Sequence, residues 1–199
     1  MRGFAIAGIA FLVAAARPVN AENLQILDLK FQPMIETANG RINVCALHFS
    51  LAGVTTSQRA IAVEGTINNS YFADKVPATM VKFSVVAVVQ EQLTRLPVKS
   101  AALYDSNLLN TAGFAPLPSE DGAAYLAYSL FTQTPDAFAS LQDAMVLGSL
   151  WLSFNLGEGK QDITALVRSE KDWTKLLEDL HKCNLRGLTQ IQEEAGNTP

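Results

Sequence analysis

The sequence predicts an α+β fold: mostly antiparallel β-structure, about eight strands in a sandwich-like arrangement, with two helices in the C-terminal half. Three observations carry this. Most of the chain falls into short runs with two-residue alternation or β-branched continuity. Turn-forming residues such as Asn39-Gly40 and Gly157-Glu158-Gly159-Lys160 separate these runs. Apolar residues at helical spacing occur only late, around 134–148 and 169–183.

The first strand covers Leu24 to Phe31, which alternates imperfectly, and runs on toward Glu36. Asn39-Gly40 is a strong hairpin signal, because both turn positions need positive φ. Ile42 to Leu51 returns as the second strand. Cys45, Leu47, Phe49 and Leu51 share its more apolar side and are assigned to the core, with His48 on the other side. Ala60–Ile67 is the third strand. The β-branched run Val81–Val89 is the fourth, expected to be central and buried on both faces. Pro97–Tyr104 follows more weakly. Residues 105–122 hold Asp, Asn, Gly, Pro and Ser and read as a long loop, a type that often carries function.

Ala123–Phe131 resumes as a strand. Thr134-Pro135-Asp136 opens a helix with an N-cap, a proline at the first helical position and an acid in the first turn, and Gly148 stops it. Ser149–Leu156 and Asp162–Val167 form a second hairpin. The last helix begins after Ser169, places Trp173, Leu176, Leu177 and Leu180 on one stripe, and ends near Cys183. Residues 190–199 are polar and expected to form a flexible tail.

Two hairpins resemble each other. Leu47-His48-Phe49-Ser50-Leu51 and Leu152-Ser153-Phe154-Asn155-Leu156 both precede a glycine-containing turn and another strand. The pattern suggests an internal duplication with halves at 24–104 and 123–183 inside a single domain, 22–189. Convergence is the simpler explanation, since two copies are few and alternating Leu and Phe suit any half-buried strand.

Residues 1–21 have the order of a secretory signal: Arg2, an uncharged run from Gly3 to Ala16, and small residues Val19 and Ala21 before a cut. At about 14 residues, the run is shorter than the ~20 of a membrane-spanning helix. No later segment is long and apolar enough to span as a helix, so the expectation is a secreted or periplasmic protein. The chain has 199 residues, 15 Lys and Arg against 19 Asp and Glu, and a formal net charge of −4. Acidic balance and the lack of a basic cluster argue against nucleic acid. Two cysteines in an oxidising compartment predict one disulfide, Cys45–Cys183, closing a loop of about 138 residues.

Catalytic signatures are sparse. His48 and His181 are the two histidines. No H-x-x-x-H, C-x-x-C, G-x-S-x-G, S-x-x-K, P-loop or G-x-G-x-x-G pattern occurs. No metal or cofactor is therefore expected. Glu64 lies in an apolar strand and is expected to face solvent. Asn68-Asn69-Ser70 fits a glycosylation sequon. The favoured reading is an exported, non-catalytic binding or assembly protein for a protein partner or a small apolar ligand. Leu108, Leu109, Phe114 and Leu117 are the candidate partner-loop residues. The alternative is a secreted hydrolase whose site assembles around His48 or His181.

Overall fold

The computed structural model describes residues 21–72, 76–89, 91–105, 110–120, 122–130, 140–141, 143–144, 148–157, 160, 162–168 and 172–196. These form ten strands and one long helix: β1 (Glu22–Ala38), β2 (Arg41–Thr55), β3 (Ala60–Ser70), β4 (Ala78–Val89), β5 (Gln92–Leu96), β6 (Ser100–Tyr104), β7 (Ala115–Leu117), β8 (Tyr125–Leu130), β9 (Trp151–Asn155), β10 (Ile163–Leu166) and α1 (Thr174–Gly196). All eight sequence-predicted strands have a counterpart; β5 and β7 are additional.

The strands do not make an antiparallel sandwich. They form one curled mixed sheet in the order β6-β9-β10-β1-β2-β3-β4-β8-β7, and β5 pairs with β4. The reason lies in β1, which changes partner. Glu22 and Asn23 pair in parallel with Ile163 and Thr164 of β10, and from Leu24 onward β1 runs antiparallel to β2. Strand β4 also divides its edge. Residues 78–83 pair with β8 and residues 85–89 with β5.

The β1–β2 hairpin is the spine. Its strands have 17 and 15 residues, roughly 50 Å at the usual rise per residue. Asn39 and Gly40 turn it with φ of 54° and 76°, the positive values that the dipeptide predicts. The alternation fault in β1 is a bulge: Ile26 pairs with Gly53 and Asp28 with Ala52, so Leu27 has no opposite residue. An extra residue at this point restores the core register for Leu29 and Phe31.

A hairpin this long needs two covers on its apolar face. At the end near Glu22, the small β6-β9-β10 sheet supplies the first, with Leu103, Leu150 and Val167 meeting Phe31, Leu47, Phe49 and Ile67. The void left among them is about 10 Å³, space for roughly one water. At the turn end, α1 is the second cover. Leu177, Leu180 and Cys183 are buried, with Trp173, Leu176, Leu188 and Ile191 packed against the same core. The predicted stripe is thus present, but the helix does not end near Cys183. It continues to Gly196 because its polar last turns have partners on the hairpin: Gln190 accepts from the Ile42 amide at 3.1 Å, and Glu194 meets Arg41 at 2.9 Å.

Aromatic rings cross the core as a chain. Trp173 meets Phe31 edge-on at 5.1 Å between centroids, Phe31 lies 6.4 Å from Phe49, and Phe49 meets Phe83 at 6.0 Å. The Phe49 ring reaches Phe83 by passing over Gly65, its cross-strand neighbour, where any Cβ would collide with the ring. Gly65 is therefore required by packing inside a strand, where glycine otherwise weakens structure.

The helix predicted over 134–148 lies mostly outside the described residues. Within them, Ser140, Leu141, Asp143 and Ala144 are helical. Gly148 has φ of 62°, and Ser149 donates its amide to the Ala144 carbonyl at 2.9 Å, the closure expected where a glycine ends a helix. Strand β4 lies inside the sheet as expected but is not buried on both faces: Lys82, Val88 and Val89 are exposed. The two similar hairpins correspond to β2–β3 and β9–β10. Their surroundings differ, since β2–β3 continues into β4 whereas β9–β10 lies between β6 and β1.

Candidate functional site

Cys45 and Cys183 form a disulfide with a Cα–Cα distance of 6.0 Å, joining the second hairpin strand to α1. Both cysteines are buried. The residue after Cys183 continues the attachment. Asn184 accepts at its Oδ1 from Asn69 Nδ2 at 2.6 Å and from the Tyr71 hydroxyl, and Asn69 in turn accepts from the Thr79 hydroxyl at 2.8 Å. All four residues are buried. This buried network sits next to the staple and ties α1 to β3 and β4 through side-chain hydrogen bonds.

The histidines do not assemble. His48 sits on the sheet face opposite Cys45, with Nδ1 3.4 Å from the Thr66 hydroxyl. His181 is on α1, which packs on the Cys45 side. The sheet therefore separates them. Glu64 is exposed, as strand alternation predicts. Among the described residues, no group of three or more His, Cys, Asp or Glu side chains is placed to hold a metal ion. No helix among them is long and apolar enough to cross a membrane.

The expected partner loop divides. Leu108 and Leu109 lie outside the described residues. Phe114 is buried in the core. Leu117 is on β7 and 36% exposed. The segment 110–117 is structured: Asn110 caps a 3-10 turn over Thr111–Gly113, the Thr111 hydroxyl accepts from the Leu103 amide at 2.8 Å, and β7 pairs with β8. Thr111 thereby links the two ends of the curled sheet. In the sequon, Asn68 lies within β3, paired on one side with Ala46 and on the other with Met80.

Two further features emerge from the fold. One is an apolar groove of about 230 Å³ on the sheet face opposite the core. Its lining comes from β1 to β5, with Ala52, Ala60, Ala62 and Val86 between larger side chains. Leu27, pushed out by the bulge, stands at one side with 67% exposure; Leu93 of β5 stands at the other with 81%, next to Val88. Strand β5 has β4 on one side and no strand on the other among the described residues. Sequence reading missed this groove because small residues in strands resemble ordinary core. The signal that could have found it was the fault at Ile26-Leu27.

The other feature is a charge cluster at the start of β1. Glu22 is 8% exposed. Its carboxylate accepts from the Ser57 amide at 3.0 Å, the Ser57 hydroxyl and the Arg59 guanidinium. Burial works to raise the pKa of this carboxyl, but the Ser57 and Thr55 hydroxyls, the Ser57 amide and Arg59 together hold it down, at about 2. Leu156, Lys160 and Ile163 complete the pocket around it.

Comparisons with known protein families, with curated proteins and with solved structures give no match for this chain.

Proposed function

We propose that this chain is an exported, non-catalytic binding protein of the periplasm or extracellular space, and that it captures an extended, apolar segment of a partner protein along β5. The observation that carries this reading is the continuity of the groove with an open sheet edge. An added strand gains main-chain hydrogen bonds from the edge, while its alternate side chains enter a groove beside it. Val88 and Leu93 border the groove at the β4–β5 edge, where the side chains of an added strand would lie. Aliphatic residues as exposed as Leu27 and Leu93 are informative when they border one apolar surface. The disulfide supports an oxidising compartment, and the order of residues 1–21 supports export with a cut after Ala21.

The test uses the chain beginning at Glu22 and a fluorescent eight-residue peptide alternating valine and threonine. Anisotropy is expected to show saturable binding. Leu93→Asp should weaken it roughly tenfold or more, since one buried leucine contributes about 1.5–3 kcal/mol, whereas Leu27→Asp on β1, four strands from β5, should leave it unchanged. The same peptide interrupted by proline should not bind, because proline cannot complete the ladder. No binding of the alternating peptide, or binding indifferent to Leu93→Asp, would overturn the proposal. Export is read separately, from the mass of the protein in the envelope fraction.

A further inference from the structure

β1 begins at Glu22, the residue that follows the expected cut. The peptide bond before Glu22 would be hydrolysed by a leader peptidase: water adds across it, Ala21 leaves with the new carboxylate, and the Glu22 nitrogen becomes an ammonium at neutral pH.

We infer that this new N-terminus is a clasp built into the fold, seated by Glu22 between β10 and the β2–β3 turn. The inference rests on the export reading for its starting point. Three contacts carry it. The Glu22 nitrogen donates to the Asp162 carbonyl at 2.7 Å. The Glu22 carboxylate is held by Ser57 and Arg59 of the β2–β3 turn. The next residue is tied as well, since Asn23 accepts at its carbonyl from the Thr56 amide at 2.9 Å.

The position matters because the joint it closes is short. Only Glu22 and Asn23 register with β10, and that parallel pairing links the small β6-β9-β10 sheet to the long one. A chain end normally frays unless something ties it down. Here the first residue is anchored by its own side chain.

The site also tolerates the charge that cleavage creates. An ammonium retains the bond to Asp162 and gains two further donors, which can be hydrated in the pocket of about 210 Å³ lined by Glu22, Arg59, Leu156, Lys160 and Ile163. In that pocket the Glu22 carboxylate stands with the cations of Arg59 and Lys160. Asp162 is itself oriented by Asn155 Nδ2 at 2.8 Å.

The experiment measures the reactivity of the terminal amine. The folded chain beginning at Glu22 is treated with an amine-acylating reagent at neutral pH, and the N-terminal peptide is followed by mass spectrometry against the same chain in urea. The clasp predicts acylation roughly tenfold or more slower in the folded chain, each factor of ten being about 1.4 kcal/mol of local opening. Arg59→Ala and Ser57→Ala should each accelerate it while near-ultraviolet circular dichroism stays native. A folded chain that reacts as fast as the unfolded one would overturn the inference, as would indifference to both variants. The chain for this test is prepared by scarless proteolysis, so a different N-terminus on the exported protein would count against the export reading and leave the clasp measurement standing.

Discussion

Tyr71 packs its ring against the bare backbone of Gly187: a Cβ at that position would stand 2.7 Å from Cδ2 and Cε2 of the ring. The ring cannot retreat, because Tyr71 is fully buried and its hydroxyl is bonded to Asn184 one turn earlier on the same helix. Two effects of Gly187→Ala therefore oppose each other. Helix propensity favours alanine by about 1 kcal/mol, whereas overpacking a filled core costs about 1–3 kcal/mol. Because the obstacle is a rigid buried ring, overpacking wins. Urea unfolding of Gly187→Ala should show a net loss of up to about 2 kcal/mol, against the gain expected for the same change on an exposed helix face.

Asn184 serves two donors at once, so its removal is not a single lost contact. Asn184→Ala would remove the Oδ1 that accepts from both Asn69 Nδ2 and the Tyr71 hydroxyl in the buried core. Two lost buried bonds at about 1–3 kcal/mol each predict a loss of about 2–6 kcal/mol in denaturant unfolding. The identity of the network is tested by adding Tyr71→Phe: the double variant should lose less than the sum of the single changes, because both single changes break the same Tyr71–Asn184 bond. Strict additivity would show that the two residues act separately.

The disulfide acts on the unfolded chain. It spans a sequence separation of 138, for which the chain-entropy account gives ~5 kcal/mol as an upper figure. Cys45→Ala/Cys183→Ala should lower the urea midpoint of the chain beginning at Glu22 markedly, and a reducing agent should reproduce the shift in the parent protein alone. Native circular dichroism in water should survive in the double variant, because the neighbouring Asn184 network and the Trp173–Phe31 contact still hold α1 on the hairpin.

The spine of this architecture was legible from alternation and turn chemistry. Asn39-Gly40 announces its hairpin, and the apolar side of β2 puts Cys45 on the face that α1 covers. Other features depend on contacts distant in sequence. The parallel β1–β10 joint involves only two residues on each strand, too few to leave a periodic signal. Residues 190–196 are polar and read as a tail; they are helical because Ile42 and Arg41 at the hairpin turn give Gln190 and Glu194 partners. The candidate groove was concealed differently. Its alanines look like core, and only the bulge at Leu27 and the short strand β5 turn them into a bordered surface. Phe114 illustrates the reverse case: it lies in a stretch that reads as loop, yet the fold buries it.

The Glu22 cluster also predicts how stability depends on pH. The carboxyl has an ordinary value of 4.5 and is held at about 2 in the folded protein. Burial acts to raise it, and the hydroxyl, amide and guanidinium donors outweigh burial. A folded-state value below the unfolded one means that the unfolded chain takes up a proton first as pH falls. The contribution of the charged carboxylate is therefore complete above about pH 4.5 and is lost progressively toward about pH 2. Glu22→Gln keeps the shape and removes the titration, while the other carboxylates remain common to both proteins. Urea midpoints for parent and Glu22→Gln should differ most at pH 5–7, with the parent the more stable, and the gap should close as the pH is lowered from about 4.5 to about 2. A gap of constant size across that window would mean that the carboxylate charge is not what fastens the first residue of β1.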